Sequence, residues 1–271
     1  MRETIIKLLE KRPFLFGIAQ KLYRASWPLS KIRFWLMKLK KRPYFGLLYN
    51  SVQICSERYQ PMHKLIKHEI ASKCNIHTKF KILEIGSWAG QSAILWASVC
   101  KENNTGIVFV IDTWMASENA PKAMKRATKD NKIFNLFLHN VAASGMQDYI
   151  VPIRGTSDAV AEILKPETFD FVYIDGDHSY TQFSQDLNNY MKVVKVNGII
   201  CGDDLELFPH EVDIQHAKQH CDEDFILDKK SQKYFHPGVA LGIHEVFENV
   251  SMKNGFWAMR KLQDGWETVE I

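Results

Sequence analysis

Hydrophobic and polar positions follow a repeating order from about residue 51 onward, in which a short apolar run precedes a stretch with helical spacing. Five apolar runs predict β-strands at residues 80–85, 106–111, 149–154, 169–174 and 198–201. The stretches around them predict helices at residues 61–74, 91–100, 120–141, 157–164 and 180–194. Because apolar strands that alternate with helices are typical of a parallel sheet covered on both faces, the pattern predicts an α/β fold.

The last part of the chain breaks this alternation. Residues 239–247 and 255–261 have strand-like apolar patterns with no helical stretch between them. They predict an antiparallel hairpin at one edge of the sheet. The sequence His236-Pro-Gly-Val239 leads into this hairpin and is consistent with a tight turn.

The first 50 residues differ in character, and we predict that they form a helical extension to a main domain of residues 51–271. Ser30 is the predicted N-cap of a helix that carries Ile32, Trp35, Leu36 and Leu39. Residues 1–42 contain twelve Lys and Arg against two Asp and Glu, a net charge of +10. Such a basic amphipathic segment suits an anionic membrane surface, and it equally suits a lid or dimer arm packed on the main domain.

Composition limits the classes of protein that fit this pattern. With 271 residues, of which 46% are hydrophobic, the chain can bury a core, and general disorder is excluded. The five cysteines are far apart and odd in number, so the sequence predicts no disulfide framework and a cytoplasmic location. No apolar run reaches the roughly 18 residues that a membrane-spanning helix needs. Because the whole chain has a net charge of +4, the residues after 42 are acidic overall, which argues against nucleic acid as a partner.

A glycine-containing turn follows the first predicted strand. Its sequence is Glu84-Ile-Gly86-Ser87-Trp88-Ala-Gly90, with Ser92 two residues later. The turn lacks the G-x-G-x-x-G spacing of dinucleotide sites and the lysine of a phosphate-binding loop. It resembles the first motif of class I S-adenosylmethionine-dependent methyltransferases, whose cofactor has no phosphate, and an ordinary strand–helix turn is the alternative.

The next two strand ends fit a nucleoside ligand. Asp112 ends the second strand, where an acidic side chain can accept hydrogen bonds from ribose hydroxyls. Thr113 and Trp114 follow it, and Trp88 and Trp114 are candidates for cofactor contact because they lie beside the first two strand ends. After the third strand, the resemblance to these methyltransferases implies a contact between Ser157 and adenine, and a cap of the next helix is the alternative.

Carboxylates are concentrated after the fourth and fifth strands. The fourth ends in Asp175-Gly-Asp177-His178, and the fifth ends in Asp203-Asp204. If these strands are neighbours, Asp175, Asp203 and Asp204 converge and repel one another unless a cation joins them or one is protonated. An all-oxygen set suits Mg²⁺ or Mn²⁺, and helix capping is the alternative role for the acids after the fifth strand.

These motifs together resemble a known family. I-D-G-D-H-S-Y, G-I-I-C-G-D-D and L-E-I-G-x-x-x-G-x-S are similar to motifs of metal-dependent class I O-methyltransferases of sugars and natural products. That group includes macrolide and aminocoumarin sugar methyltransferases and cephalosporin-hydroxylase-like proteins. The resemblance covers roughly residues 55–260 and implies a Rossmann-like methyltransferase fold with S-adenosylmethionine as cofactor.

The resemblance also implies roles for individual residues. Asp175, Asp203 and Asp204 correspond to the metal ligands, and Asp177 or His178 corresponds to the base. A segment similar to His236-Pro-Gly-Val239 comes before the late strands in relatives, which implies a loop beside the acceptor pocket as the alternative to a tight turn. The implied cofactor-binding residues are Glu84, Gly86, Ser87, Trp88, Gly90, Ser92, Asp112, Thr113, Trp114, Ser157 and Asp175.

The implied function is O-methylation of a hydroxyl in a saccharide or glycosylated metabolite, assisted by a divalent metal. Binding of the basic N-terminal extension to a membrane would suit a glycan substrate attached to a lipid carrier. Association between copies of the chain is a separate expectation. The alternatives are a hydroxylase-like or other enzyme on the same scaffold, and a binding protein that retains the fold without catalysis.

Overall fold

The computed structural model describes residues 27–46, 56–73, 79–116 and 122–271. Residues 1–26, which hold the first part of the predicted basic extension, lie outside the described residues. The helices and 3₁₀ turns are α1 (Trp27–Leu39), α2 (Ser56–Lys73), α3 (Gln91–Glu102), α4 (Lys122–Thr128), a 3₁₀ turn (Lys129–Asn131), α5 (Lys132–Ala143), α6 (Ser157–Ala161), α7 (Tyr180–Met191), a second 3₁₀ turn (Pro209–Glu211), α8 (Ile214–Gln219) and α9 (Pro237–Val246). The strands are β1 (Lys81–Ile85), β2 (Ile107–Asp112), β3 (Ile150–Arg154), β4 (Phe169–Ile174), β5 (Val194–Leu205), β6 (Ile226–Leu227), β7 (Tyr234–Phe235), β8 (Ser251–Lys253), β9 (Gly255–Leu262) and β10 (Gly265–Thr268).

The main sheet confirms the predicted α/β class with a Rossmann-like arrangement. Its strands lie in the order β10-β9-β5-β4-β1-β2-β3, and β8 pairs with β9. Strands β3, β2, β1, β4 and β5 are parallel, whereas β9 runs antiparallel to β5 and β10 antiparallel to β9. Because β4 and β5 are direct neighbours, the two acidic motifs that follow them reach the same edge of the sheet.

The sheet is buried on both faces. Ile82 of β1 packs with α2, α3 and α5, while Leu83, the next residue, packs on the other face with α7 and α9. This alternation follows from the two-residue period of a strand. Both faces of the central strands are therefore apolar, which explains why they read as continuous hydrophobic runs in the sequence.

The predicted strand at residues 239–247 is wrong, because these residues form helix α9. Pro237 occupies its first turn, where the missing N–H costs no hydrogen bond. Val239, Ala240 and Ile243 are buried against the sheet. A short apolar run has no periodicity that separates a buried helix from a buried strand. The antiparallel hairpin itself is present, but β9 and β10 form it.

Other element boundaries also differ from the predictions. The predicted helix at residues 120–141 is interrupted at Asp130 and Asn131, which have positive φ angles of 57° and 56°. Ser30 does not cap α1, because that helix begins at Trp27 with Pro28 in its first turn. The fifth strand begins at Val194 and includes both Asp203 and Asp204.

Helix α1 packs on the main domain in the part of the chain that the structure describes. Phe34 and Met37 contact the core, and the Phe34 ring meets Tyr44 edge to face at 5.4 Å. The backbone N–H of Tyr44 donates to Oδ1 of Asn140, and the Asn140 amide donates back to the Tyr44 carbonyl. Among the described helices, none combines the length and apolar character needed to cross a membrane.

A buried ion pair joins α2 to β9. Glu69 is fully buried and accepts two hydrogen bonds from Arg260, at 2.6 Å and 3.1 Å. Burial raises the pKa of Glu69, but the hydrogen bonds and positive charge of Arg260 outweigh it and hold the pKa below its ordinary value. This pair therefore stabilises the fold at neutral pH.

We expect Glu69→Gln to lower the free energy of unfolding by about 3 kcal/mol, because Arg260 loses its buried partner. Since the folded pKa of Glu69 is depressed, its contribution is complete above the unfolded value of about 4.3 and is lost as the pH falls through the folded value. Urea unfolding at neutral and acid pH measures both effects. Glu270→Gln, which removes an exposed partner of Lys64, is the control and should leave the midpoint unchanged. An unchanged midpoint in Glu69→Gln would contradict the prediction.

Candidate functional site

The glycine turn after β1 lies directly against the end of β4. Gly86 has a φ of 79°, and a Cβ at this position would collide with the carbonyl oxygen of Asp175. The N–H of Asp175 donates to the carbonyl of Ile85 at 2.8 Å. Only glycine combines this backbone conformation with such a close approach. The turn and the first acid of the I-D-G-D motif are therefore one continuous piece of structure.

Asp112 holds the glycine turn in place. Its Oδ2 accepts hydrogen bonds from the backbone N–H groups of Ser87 and Trp88, at 3.0 Å and 2.9 Å. Its Oδ1 accepts from the N–H of Trp114 at 2.6 Å. A carboxylate accepts about four hydrogen bonds, so capacity for one more remains. The predicted contact between Asp112 and ribose stays a prediction.

Three predicted cofactor-binding side chains are enclosed by protein. Glu84 is fully buried and accepts a hydrogen bond from the hydroxyl of Ser92, which is also buried. Burial raises the pKa of Glu84 to about 8, so this side chain is mostly protonated at neutral pH. Trp114 has no exposed surface and packs on Phe134 and Phe137. All three side chains are buried in the structure, and their predicted contact with the cofactor stays a prediction.

The other predicted cofactor residues lie around the same turn. Trp88 is half-buried at a φ of 49°, and Gly90, at a φ of 85°, precedes α3. The Thr113 hydroxyl pairs locally with Met115. Ser157 does not cap α6, because the Thr156 hydroxyl accepts the hydrogen bond from Ala159.

Two acidic residues at the end of β5 share one cation. Nη1 of Arg58, from the first turn of α2, lies 2.6 Å from Oδ2 of Asp203 and 3.1 Å from Oδ1 of Asp204. Nη2 of Arg58 lies 3.4 Å from Glu206. The guanidinium of Arg58 thus neutralises part of the negative charge at the end of β5, for which the sequence had indicated no positively charged partner.

His178 joins the two acidic motifs. Its Nε2 lies 3.0 Å from Oδ2 of Asp204 and 3.9 Å from Oδ1 of Asp175. Its Nδ1 lies 2.8 Å from Oδ1 of Asp224. Arg58 and His178 together therefore connect Asp175, Asp203 and Asp204 into one cluster, as expected from the pairing of β4 with β5. Tyr173 donates to the remaining oxygen of Asp175.

A second histidine completes the cluster. The rings of His178 and His236 lie 4.6 Å apart, and Nδ1 of His236 is 3.0 Å from Glu206 and 3.7 Å from Asp204. Gly238 allows this approach, because a Cβ there would collide with the backbone around His178. The H-P-G-V segment is therefore beside the site, as one of its two sequence interpretations proposed.

The electrostatics of the cluster are uneven. Burial and repulsion from Asp204 and Asp175 raise the pKa of Asp203 to about 7, although Arg58 opposes this shift. Burial alone would raise the pKa of Asp204, but His178, His236 and Arg58 hold it below its ordinary value. Burial likewise disfavours charged His178, yet its contacts with Asp175, Asp204 and Asp224 hold its pKa well above the usual range.

The donor atoms that could share a metal ion differ in part from the sequence prediction. Ligand atoms of His178, Asp204 and His236 all lie within 4.8 Å of one another. Nε2 of His178 is buried and makes no hydrogen bond of good geometry within the described residues, although Asp204 is adjacent. Asp203 instead faces Arg58. The arrangement fits a cation held by Asp204 and the two histidines, with Asp175 beside it.

Asp177 lies at the exposed side of the cluster. Its Oδ1 accepts the N–H of Ser179, which in turn caps α7. In the described part of the chain, Oδ2 of Asp177 makes no hydrogen bond. Both ring nitrogens of His178, by contrast, face carboxylates. Of the two candidates for the base, Asp177 is the exposed one, and one of its carboxylate oxygens has no partner among the described residues.

Sequence reasoning did not identify Arg58, Glu206, Asp224 and His236 as site residues. Glu206 lies just beyond the end of β5, and the irregular backbone at Asp204, with a φ of 65°, removes the strand alternation that could have indicated its direction. His236 lies in a motif that was noticed but not assigned. Nothing near Arg58 indicates its role, because it lies 145 residues from Asp203 in the chain.

Comparisons with known proteins bear on the class of protein to which this chain is similar. Residues 83–205, which run from β1 to the end of β5, match a family model described as a methyltransferase domain. No curated protein matches the chain by sequence. The matched residues make up less than half of the chain, and they include the glycine turn and both acidic motifs. The match supports the prediction of a S-adenosylmethionine-dependent methyltransferase.

The similarity of this chain to solved structures is limited to a general likeness of fold. An O-methyltransferase from Bacillus cereus in complex with SAH has a TM-score of 0.47 at 17% identity, over 77% of this chain and 83% of that one. The O-methyltransferase TomG from Streptomyces achromogenes, involved in tomaymycin synthesis and solved with SAM, has a TM-score of 0.48 at 14% identity, over 78% of this chain and 82% of that one. These comparisons transfer no functional detail.

Proposed function

We propose that this protein transfers a methyl group from S-adenosylmethionine to a hydroxyl of a saccharide or glycosylated metabolite. One observation carries the proposal: the glycine turn abuts the backbone of Asp175, whose side chain belongs to the acid–histidine cluster. A cofactor on that turn would present its methyl group beside groups able to handle a hydroxyl proton. The match of residues 83–205 to a methyltransferase domain supports the choice of cofactor.

The residues divide the chemical work between them. The sulfonium methyl group is already electrophilic, so the protein must orient an oxygen nucleophile in line with it. We assign removal of the hydroxyl proton to Oδ2 of Asp177, because it is free and exposed. His178 orients the site by holding Asp204 and Asp224. Arg58 keeps Asp203 and Asp204 together despite their mutual repulsion.

A divalent metal is part of this proposal. Asp204, His178 and His236 would hold it, with Asp175 nearby, and His178 would have to lose its proton to do so. When bound, such an ion lowers the pKa of a coordinated hydroxyl and fixes its position. Two imidazole donors favour a transition metal over Mg²⁺, because Mg²⁺ prefers oxygen ligands. Of the two ions that the sequence suggested, Mn²⁺ is therefore the better fit.

We expect Asp177→Asn to lower kcat for methyl transfer by about 10²–10⁴-fold, because general-base catalysis contributes that much. Methyl transfer to a panel of saccharides and glycosylated metabolites, with methyl-labelled S-adenosylmethionine, provides the assay. Binding of S-adenosylhomocysteine, measured by calorimetry, should stay unchanged.

Asp130→Asn is the matched control, since Asp130 is exposed and pairs with Lys132, which is not part of the cluster. Full activity in Asp177→Asn would refute its role as base. Failure of the wild-type chain to methylate any acceptor and to bind S-adenosylhomocysteine would refute the proposed function.

A further inference from the structure

Helix α1 carries a row of exposed apolar side chains. Five large residues on it are between 41% and 64% exposed. These residues, which we call the apolar stripe, are Leu29, Ile32, Trp35, Leu36 and Leu39. At 100° per residue, all five fall within an arc of about 120° on the helix. In the described part of the chain, no other segment covers this arc.

The orientation of the stripe is fixed by the opposite side of the helix. Phe34 and Met37 lie there and pack against the core of the main domain. Asn140 further ties the segment after the helix to α5 through Tyr44. The apolar stripe therefore faces away from the main domain. Its residues stay exposed although α1 packs on that domain through Phe34 and Met37.

Basic residues border the stripe on both sides. Lys31 and Lys38 fall beside Trp35, while Arg33 and Lys40 fall beside Leu29. Lys40 continues the helical geometry, because its N–H donates to the carbonyl of Leu36. Residues 27–42 contain six Lys and Arg and no Asp or Glu.

We propose that this face of α1 lies in the interface of an anionic lipid bilayer. An apolar arc flanked by basic residues matches a surface that is apolar within and negatively charged at its headgroups. A second copy of the chain is a poorer partner, because two such faces would bring like charges together. Nucleic acid would satisfy the basic residues and leave Trp35 and Leu39 exposed to water. This inference does not depend on methyl transfer.

Flotation of the full chain with vesicles tests the proposal. The vesicles contain phosphatidylcholine alone or phosphatidylcholine with phosphatidylglycerol. We expect binding to the anionic vesicles only, and weaker binding as salt rises. Trp35→Ser/Leu39→Ser should weaken binding about tenfold or more, because apolar area is lost from the contact. Lys38→Gln/Lys40→Gln should weaken it about 30-fold, since each basic residue near such a surface contributes about 1 kcal/mol.

Ile163→Ser is the matched control, because Ile163 is 77% exposed on another part of the surface. Its binding should equal that of the wild-type chain. The proposal is overturned if the wild-type chain does not float with anionic vesicles. It is also overturned if both double variants bind anionic vesicles as strongly as the wild-type chain, because the membrane contact would then lie in another segment. A third outcome would also overturn the proposal. In it the wild-type chain does not float with vesicles but forms dimers or binds nucleic acid, and the same variants abolish that binding.

Discussion

Asp204→Asn is expected to lower kcat for methyl transfer by about 10³-fold, because Asp204 holds the charged groups of the cluster together. Asp204 contacts more of the cluster than the other acids do. One oxygen lies 3.1 Å from Arg58 and 3.7 Å from His236, and the other lies 3.0 Å from His178. An amide keeps the shape but removes the negative charge that these three groups share.

Metal binding gives a readout of the same variant that does not require turnover. Calorimetric titration with Mn²⁺ should show binding to the wild-type chain and its loss in Asp204→Asn. Asp264→Asn, in the exposed turn between β9 and β10, is the control and should keep both activity and metal binding. Circular dichroism checks that Asp204→Asn remains folded. Normal turnover and Mn²⁺ affinity in that variant would exclude Asp204 from the site.

Gly86→Ala is expected to cause the largest loss of stability, about 3–5 kcal/mol in the free energy of unfolding. Two effects add at this position. The φ of 79° is unfavourable for alanine, and the new Cβ would meet the carbonyl of Asp175. Relief of the collision requires the turn to move away from β4. We therefore also expect the affinity for S-adenosylhomocysteine to fall more than tenfold.

Gly265→Ala separates these two effects. Gly265 also has a positive φ, 119°, but an added Cβ there has no neighbour within 4 Å. Backbone strain alone should cost about 1–2 kcal/mol at that site, with cofactor affinity unchanged. Urea unfolding of both variants measures the difference. Equal losses in the two would show that the contact between the turn and Asp175 is unimportant.

The helix at Pro237–Val246 shows where sequence reasoning about the fold reached its limit. The parallel strands were predictable because both of their faces are buried, which produces unmistakable apolar runs. Helix α9 is also buried over most of its surface, so its residues produce a similar run. Local pattern does not separate the two cases. The proline in its first turn was the one local indication of a helix.

For the candidate site, the sequence alone determined which carboxylates follow the strand ends and where the glycine turn lies, because strand ends follow from local pattern. The tertiary structure decided that β4 and β5 are neighbours, which brings their acidic motifs to one sheet edge. Tertiary structure decided the partners of those carboxylates. Arg58 lies on α2 and His236 lies at the start of α9. Both are distant in sequence from Asp203 and Asp204, so the residues around these acids do not indicate the contacts. Tertiary structure also decided that Glu84 and Trp114 are enclosed, since burial depends on elements distant in the chain. Sequence periodicity reports what each segment buries, whereas only the packed chain brings charges from separate segments within a few ångströms.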